Sequence, residues 1–167
     1  MMSIRGIVRL AVGLAAAAAF AAAFQEGPPG FDFVKRISVA AGAPWTDSGI
    51  DVKGGEELFF RASGTVSLQK DNPVASCGPE GMSLRTMRQP MPERNLGALI
   101  GRVLEKVEVV EDKQTKDKVT REYGEVFHVG PEGWLTAMAA GRLQFGLNDN
   151  LTTDNDGGFK VLIFRKR

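Results

Sequence analysis

The most concentrated chemistry in the sequence lies near its carboxy terminus, in an acidic loop that we define as residues 148–158 (NDNLTTDNDGG). Of the nine residues from 148 to 156, eight carry side-chain oxygens and three are carboxylates. Carboxylates this close together repel one another unless water or a cation lies between them. Calcium accepts about six to eight oxygens from carboxylates, amides and backbone carbonyls. The composition of the acidic loop therefore favours a bound Ca²⁺ ion.

Other interpretations of the acidic loop stay open on composition alone. Asn, Asp, Thr and Gly are also typical of an ordinary turn between strands, which need not bind anything. Magnesium is a weaker candidate than calcium because it demands a stricter octahedron and keeps more of its water. An EF-hand is excluded, because placing its glycine on Gly157 puts Thr152 at the first ligand and Ile163 at the position of the bidentate glutamate.

The elements that must position this loop read as short strand-like runs separated by turns. A turn is predicted at residues 43–49 and a hairpin-type turn at residues 53–56. Residues 70–95, which contain four prolines, are predicted to form a long loop. Residues 103–111 could also form a helix, but Val107, Val109 and Val110 favour a strand. Nine or ten short strands with no convincing helix predict an all-β fold, an antiparallel β-sandwich. The predicted strands are residues 35–41, 50–52, 57–62, 65–69, 96–103, 104–110, 119–129, 134–138, 142–147 and 159–164.

Composition excludes several classes of protein. The 167 residues include 21 basic and 20 acidic residues, so no basic stripe is available for a nucleic-acid backbone, and we predict no nucleic-acid partner. One cysteine excludes a disulfide scaffold and a multi-cysteine zinc site, and one histidine excludes a two-histidine metal centre. The single Cys77 is predicted to be a buried, inert thiol.

The amino terminus has the pattern of an export signal. Arg5 and Arg9 precede an uncharged, alanine-rich run over residues 10–24, with small residues that suit cleavage after Ala21 or Ala23. That run is shorter than the ~20 residues needed to span a bilayer, so no membrane span is expected after cleavage. The chain is therefore predicted to be periplasmic or secreted. Its predicted parts are a signal peptide over residues 1–23, a linker over 24–35 and a single domain over 36–167.

Six motifs occur in order along the chain: APWTDSGIDV at 43–52, ASGTV at 62–66, GALIGR at 97–102, GRL at 141–143, LNDN at 147–150 and DNDGGF at 154–159. Taken together, they resemble the PA-IL-like family of bacterial calcium-dependent galactophilic lectins and their relatives. The likeness covers roughly residues 37–163. It implies a jelly-roll sandwich of the galactose-binding type, in which calcium at one end of the sandwich bridges to sugar hydroxyls.

The resemblance implies a set of calcium ligands. Asp149 matches the aspartate that begins the family's metal loop, and a backbone carbonyl within the loop corresponds to Leu151 or Thr152. Asp154 and Asn155 match the adjacent pair that closes the site, supplying a side-chain and a backbone oxygen. The carbonyl of Leu68, after the ASGTV strand, matches a further ligand.

The same resemblance implies carbohydrate contacts, and it also shows departures from the family. Asp149, Asn150, Thr152 and Asp154 are the candidates for contact with sugar hydroxyls. The acidic loop is two residues shorter than in the galactophilic lectins, and Leu68 replaces their tyrosine. The long loop lacks their histidine, and its Gln89 has no certain counterpart. Galactose specificity is therefore not implied.

Other candidate residues have simpler interpretations. His128 lies in an alternating strand without an evident catalytic partner, and Trp45 is expected to pack at the sandwich edge, although it and Trp134 could also stack on sugar rings. A glycosidase built on the acidic-loop carboxylates would need a deeper cleft than a small domain offers. We therefore predict a non-enzymatic, calcium-dependent carbohydrate-binding domain and leave a homo-oligomer open. The alternative is an envelope or protein–protein association module that binds no sugar.

Overall fold

The computed structural model describes residues 26–111, 113 and 117–167, so the predicted signal peptide lies outside the described residues. Successive residues of a strand face opposite sides of the sheet, so burial alternates along it. In β7, for example, Gly133 and Leu135 are buried and their neighbours are exposed. A 3₁₀ turn at Pro73–Ala75 precedes β4. The strands are β1 Phe31–Ala40, β2 Thr46–Val52, β3 Glu57–Ser67, β4 Ser76–Cys77, β5 Leu99–Glu111, β6 Lys118–His128, β7 Glu132–Thr136, β8 Gly141–Leu147 and β9 Asp156–Lys166.

These strands form two antiparallel sheets. The first has the order β1-β9-β3-β4, with β7 also pairing with the opening half of β3. The second has the order β2-β8-β5-β6. The buried side chains of both sheets form one apolar cluster between them. The predicted antiparallel β-sandwich is confirmed.

Two predicted strands are in fact one. Residues 57–62 and 65–69 were expected to be separated by a turn at Ser63 and Gly64, but β3 runs through both and pairs continuously with β9. Gly64 adopts a φ of +122°, and a Cβ there would lie 2.6 Å from the carbonyl oxygen of Gly158. Glycine thus permits two neighbouring backbones to approach closely here, where the sequence pattern indicated a turn.

A predicted turn is instead a bulged part of a strand. Residues 43–49 were expected to form a turn, but β2 begins at Thr46 and its register with β8 shifts between Asp47 and Ile50. Gly49 has a φ of +72°, and its N–H donates to the Asp47 carboxylate at 2.8 Å. The turn-forming residues therefore make a β-bulge rather than ending the strand.

Two other boundaries differ from prediction. β1 begins at Phe31, so residues 31–35, predicted as linker, pair with β9. Residues 103–111 continue one long strand, β5, and neither the helix nor the break near residue 104 is found. Pairing with β6 on one side and β8 on the other stabilises the extended backbone over the first part of this strand. Within the described residues, no helix has the length and apolar character needed to cross a membrane.

Candidate functional site

The acidic loop connects β8 to β9 at one end of the sandwich, and its last three residues already belong to β9. The N–H of Lys70, at the start of the long loop, donates to the carbonyl of Asp154 at 2.7 Å. The N–H of Ala41, just after β1, donates to the carbonyl of Gly157 at 3.0 Å. Two other segments of the chain therefore meet the acidic loop.

Asn148 fixes the start of this loop. Its side chain is completely buried and accepts a hydrogen bond from the N–H of Met91 at 2.8 Å. Its amide group donates to the carbonyls of Met91 and Asn95 at 2.9 and 3.0 Å. Asn148 thus joins the acidic loop to the far end of the long loop. By sequence, Asn148 is only one of several oxygen-bearing residues in the loop, because nothing in the composition indicates which asparagine is buried.

Asp149 and Asn155 close the acidic loop on itself. One carboxylate oxygen of Asp149 accepts from the N–H of Leu151 at 3.1 Å, and the other accepts from the side-chain amide of Asn155 at 3.0 Å. The same amide also reaches the carbonyl of Ala41 at 3.5 Å. These bonds hold the first and last parts of the loop together and turn the Asn155 side-chain oxygen away from them.

Two buried oxygens in the closing pair have no hydrogen-bond partner among the described residues. They are Oδ1 of Asp154 and Oδ1 of Asn155. A buried acceptor without a partner costs about 1–3 kcal/mol, and more when it carries charge. Two such acceptors on consecutive residues, one of which also bonds to the carboxylate of Asp149, have the chemistry of calcium ligands.

The other predicted site residues differ in burial and in their distance along the chain from the acidic loop. The carbonyl of Thr152, a buried residue, accepts from the N–H of Asn155 at 3.2 Å. Leu68 follows the last residue of β3 and packs its side chain on the core, two residues before the Lys70 that bonds to Asp154. Asn150 is exposed. The structure therefore joins the side chains of Asp149 and Asn155, with Asp154 next to Asn155 in the chain, and places Thr152 and Leu68 in neighbouring turns.

Carboxylates alone do not make a metal centre here. Across the described ranges, no three His, Cys, Asp or Glu side chains converge in a way that could hold a metal ion. Asp156 is exposed, and its carboxylate accepts from the N–H of Gly157 at 2.7 Å. Any cation in the acidic loop would thus depend on amide and backbone oxygens in addition to Asp149 and Asp154.

The long loop is held by its own glutamine. Gln89 is buried, its side-chain oxygen accepts from the N–H of Thr86 at 3.2 Å, and its amide donates to the carbonyls of Met91 and Arg94. A glutamine whose oxygen and amide bond inside the loop is poorly placed to contact a ligand. By sequence, Gln89 has no certain counterpart, and the structure shows that its side chain holds the long loop together.

His128 and Trp45 make contacts that belong to the packing of the sandwich. His128 is opposite Ile100 in the β5–β6 ladder, and burial, with a smaller effect of Arg94, lowers its pKa, which keeps it neutral at pH 7. The Arg102 guanidinium lies 4.4 Å from the centre of the Trp45 ring. The interpretation of Trp45 as a packing residue is thus supported by a cation–π contact.

Trp134 belongs to an aromatic cluster on the outer face of the first sheet. Its ring lies 4.6 Å from that of Phe59 and 5.3 Å from that of Phe31, and its side chain is 59% exposed. β7 places it on this outer face, whereas the acidic loop lies at the β8–β9 connection. The cluster covers the apolar side chains that the sheet presents outward.

Cys77 is expected to alkylate slowly. Burial, assisted by the nearby charge of Glu80, raises the pKa of its thiol to about 11. Because the thiolate is the reacting species, a rise of about two units should slow iodoacetamide labelling at pH 8 about 100-fold relative to the unfolded chain. Mass spectrometry of timed samples, with and without guanidinium and with glutathione as the reference thiol, measures the ratio. Equal rates in the two states would contradict a protected thiol.

The fold is similar to that of a solved structure described as "EclA N-terminal domain; PllA-like lectin". The TM-score is 0.57 and the sequence identity 21%, over 80% of this chain and 98% of that chain. No protein-family model matches the sequence, and no curated protein matches it. At this identity the likeness shows the shared β-sandwich fold, and the candidate site stands on its own geometry.

Proposed function

We propose that the protein is an exported, non-enzymatic domain that binds carbohydrate through a calcium ion held in the acidic loop. The observation that carries this proposal is the pair of buried, unpartnered oxygens on Asp154 and Asn155. Two likenesses support it: the ordered sequence motifs of the PA-IL-like family, and the solved neighbour whose description names a lectin.

The proposed ligands combine charge with neutral oxygens. Asp149 and Asp154 would supply carboxylates, and two negative charges suit one divalent cation. The second ligand from the closing pair is better assigned to the side-chain oxygen of Asn155 than to a backbone carbonyl, because that side-chain oxygen is buried and has no hydrogen-bond partner among the described residues. Carbonyls of Leu68 and of Leu151 or Thr152 would complete the protein's contribution.

Calcium in such a site would supply open coordination positions that two neighbouring hydroxyls of a sugar can fill. Asp149, Asn150, Thr152 and Asp154 would orient those hydroxyls as hydrogen-bond partners. The long loop contributes no histidine, and Gln89 is engaged within it. Since each missing hydrogen bond is worth about 1 kcal/mol, we expect a dissociation constant of about 1 mM per site and no strict preference for galactose.

Calcium should stabilise the folded chain, because the ion binds the closed loop and not the unfolded state. At about 100 times the dissociation constant the gain is about 2.7 kcal/mol, which corresponds to a rise in Tm of roughly 5–10 °C for a domain of this size. Differential scanning calorimetry in excess calcium and in chelator measures it. Asp154→Asn should lose most of the rise, since it removes one charge from the proposed site.

The acidic loop also provides a matched control. Asp156→Asn makes the same chemical change two residues away, at an exposed carboxylate that bonds only to the N–H of Gly157 in the structure. It should keep the calcium-induced rise. Identical melting curves of the wild type in calcium and in chelator would instead identify the acidic loop as a turn without a metal.

Sugar binding requires a separate measurement. A glycan array with multivalent display, run in calcium and in chelator, should give signal only with calcium. Calcium-dependent stabilisation with no glycan signal would disprove the carbohydrate part of the proposal. That outcome would favour the alternative function, an association module with a metal-stabilised loop.

A further inference from the structure

β6 is the edge strand of the second sheet, and most of it projects beyond the sandwich. It pairs with β5 and with no other strand among the described residues. The pairing of β5 with β8 ends at Leu104, so beyond that point β5 and β6 form a two-stranded ribbon. A two-stranded ribbon is only marginally stable by itself and presents unpaired N–H and C=O groups along its edges.

The outer edge of this ribbon carries charged side chains, which oppose strand pairing unless the charges of the incoming strand complement them. β6 is eleven residues long and contains no proline. Its exposed apolar side chains are Val119, Tyr123 and Val126, with exposed fractions of 46%, 44% and 38%. A long edge strand with exposed β-branched and aromatic residues is a template for a further strand.

We propose that β6 pairs antiparallel with β6 of a second copy of this chain, with Tyr123 of each copy opposite the other. The two four-stranded sheets would then continue into one sheet of eight strands. This interface is separate from the acidic loop, so it does not depend on whether the protein binds calcium or sugar.

Two-fold symmetry restricts the register of such a pair. Residues along an antiparallel ladder alternate between hydrogen-bonded and non-hydrogen-bonded pairs. The symmetry axis must therefore pass between a residue and its own copy, because otherwise symmetric positions would have different bonding. The central part of β6 thus offers five registers, each defined by the residue at the axis.

Charge selects one of these registers. An axis at Arg121, Glu122 or Glu125 places two like charges directly opposite each other, which is destabilising. An axis at Gly124 places Arg121 opposite the partner's Phe127, a residue buried in the core. These four registers are therefore disfavoured.

The register centred on Tyr123 is the one of the five that places opposite charges across from each other. It places Arg121 opposite the partner's Glu125, and by symmetry the same ion pair forms twice. Thr120 faces the partner's Val126, and these β-branched side chains suit a cross-strand pair. Arg121, Tyr123 and Glu125 alternate along the strand and so share one face, with the two tyrosines between the two ion pairs.

Charge reversal tests this register directly. The full exported protein should show a monomer–dimer equilibrium in sedimentation velocity between about 10 µM and about 1 mM, a range suited to a small interface. Arg121→Glu and Glu125→Arg should each raise the dissociation constant about tenfold or more, because each converts both ion pairs into like-charge pairs. A 1:1 mixture of the two variants should form a heterodimer, in which both pairs are again attractive.

The same design separates pairing from folding. The double variant Arg121→Glu/Glu125→Arg should dimerise like the wild type, because both ion pairs are restored with reversed charges. It still carries the effects of each change within one chain, such as loss of the 3.2 Å bond from the N–H of Met138 to Glu125. Circular dichroism and Tm identify any variant that fails to fold. The proposal would be overturned if the wild type stayed monomeric at about 1 mM, or if the single variants dimerised like the wild type. It would also be overturned if the double variant and the mixture both stayed monomeric while folded.

Discussion

Replacement of Phe60 by alanine should lower the free energy of unfolding by about 3–5 kcal/mol. Phe60 is completely buried on β3 in the first sheet. Its ring stacks at 5.7 Å on Phe127 of β6 and meets Phe145 of β8 edge-on at 5.3 Å, and both of these strands belong to the second sheet. The substitution therefore leaves a cavity between the sheets and removes two aromatic contacts that cross it.

Phe33→Ala is the matched control for this change. It removes the same side chain from β1, but the ring is 54% exposed and meets Phe164, on the outer face of its own sheet, at 5.7 Å. Its cost should stay below about 1.5 kcal/mol. Urea unfolding of both variants, followed by circular dichroism, gives the two values. Equal losses would show that the contact between the sheets does not dominate stability.

Strand positions were predictable where buried and exposed residues alternate along the chain. In β7 the sequence places Leu135 between exposed neighbours, and in β2 Ile50 and Val52 flank an exposed aspartate. Such alternation has a direct physical cause, because successive side chains of a strand point to opposite faces. The sandwich class follows from many such segments without helices.

Strand boundaries were harder because glycine has two roles. At Gly64 and Gly49 a small residue indicated a turn, yet one permits close approach of two strands and the other forms a bulge. Both roles use conformational freedom, and which one applies depends on a neighbouring strand that is distant in sequence. Local sequence alone does not contain that information.

The sequence indicates which residue types the candidate site contains, but not how they are arranged in space. Asn148 and Asn150 are the same residue type two positions apart, and one is fully buried while the other is exposed. The difference comes from Met91 and Asn95, more than 50 residues earlier in the chain. Likewise, Gln89 has no certain counterpart by sequence, and the structure shows it engaged within its own loop.

Asn148→Ala should lower the free energy of unfolding by about 3 kcal/mol. The substitution removes three side-chain hydrogen bonds, to the N–H and carbonyl of Met91 and to the carbonyl of Asn95. Each loss costs about 1 kcal/mol or more, because the backbone groups that remain lie in a partly buried environment. The backbone bonds of residue 148 to Gly97 and Ala98 are kept, so the loss should be local and the sandwich should remain folded.

Asn150→Ala is the control for the Asn148 substitution, because it makes the same change in the same loop at an exposed side chain and should alter stability by less than about 0.5 kcal/mol. Urea unfolding gives the global values for both variants. Amide hydrogen exchange locates the effect: in Asn148→Ala the long loop around Met91 should exchange faster, while the core strands should lose protection only as far as global stability falls. If both variants unfold at the same urea concentration, or if exchange around Met91 is unchanged, Asn148 does not hold the long loop against the acidic loop.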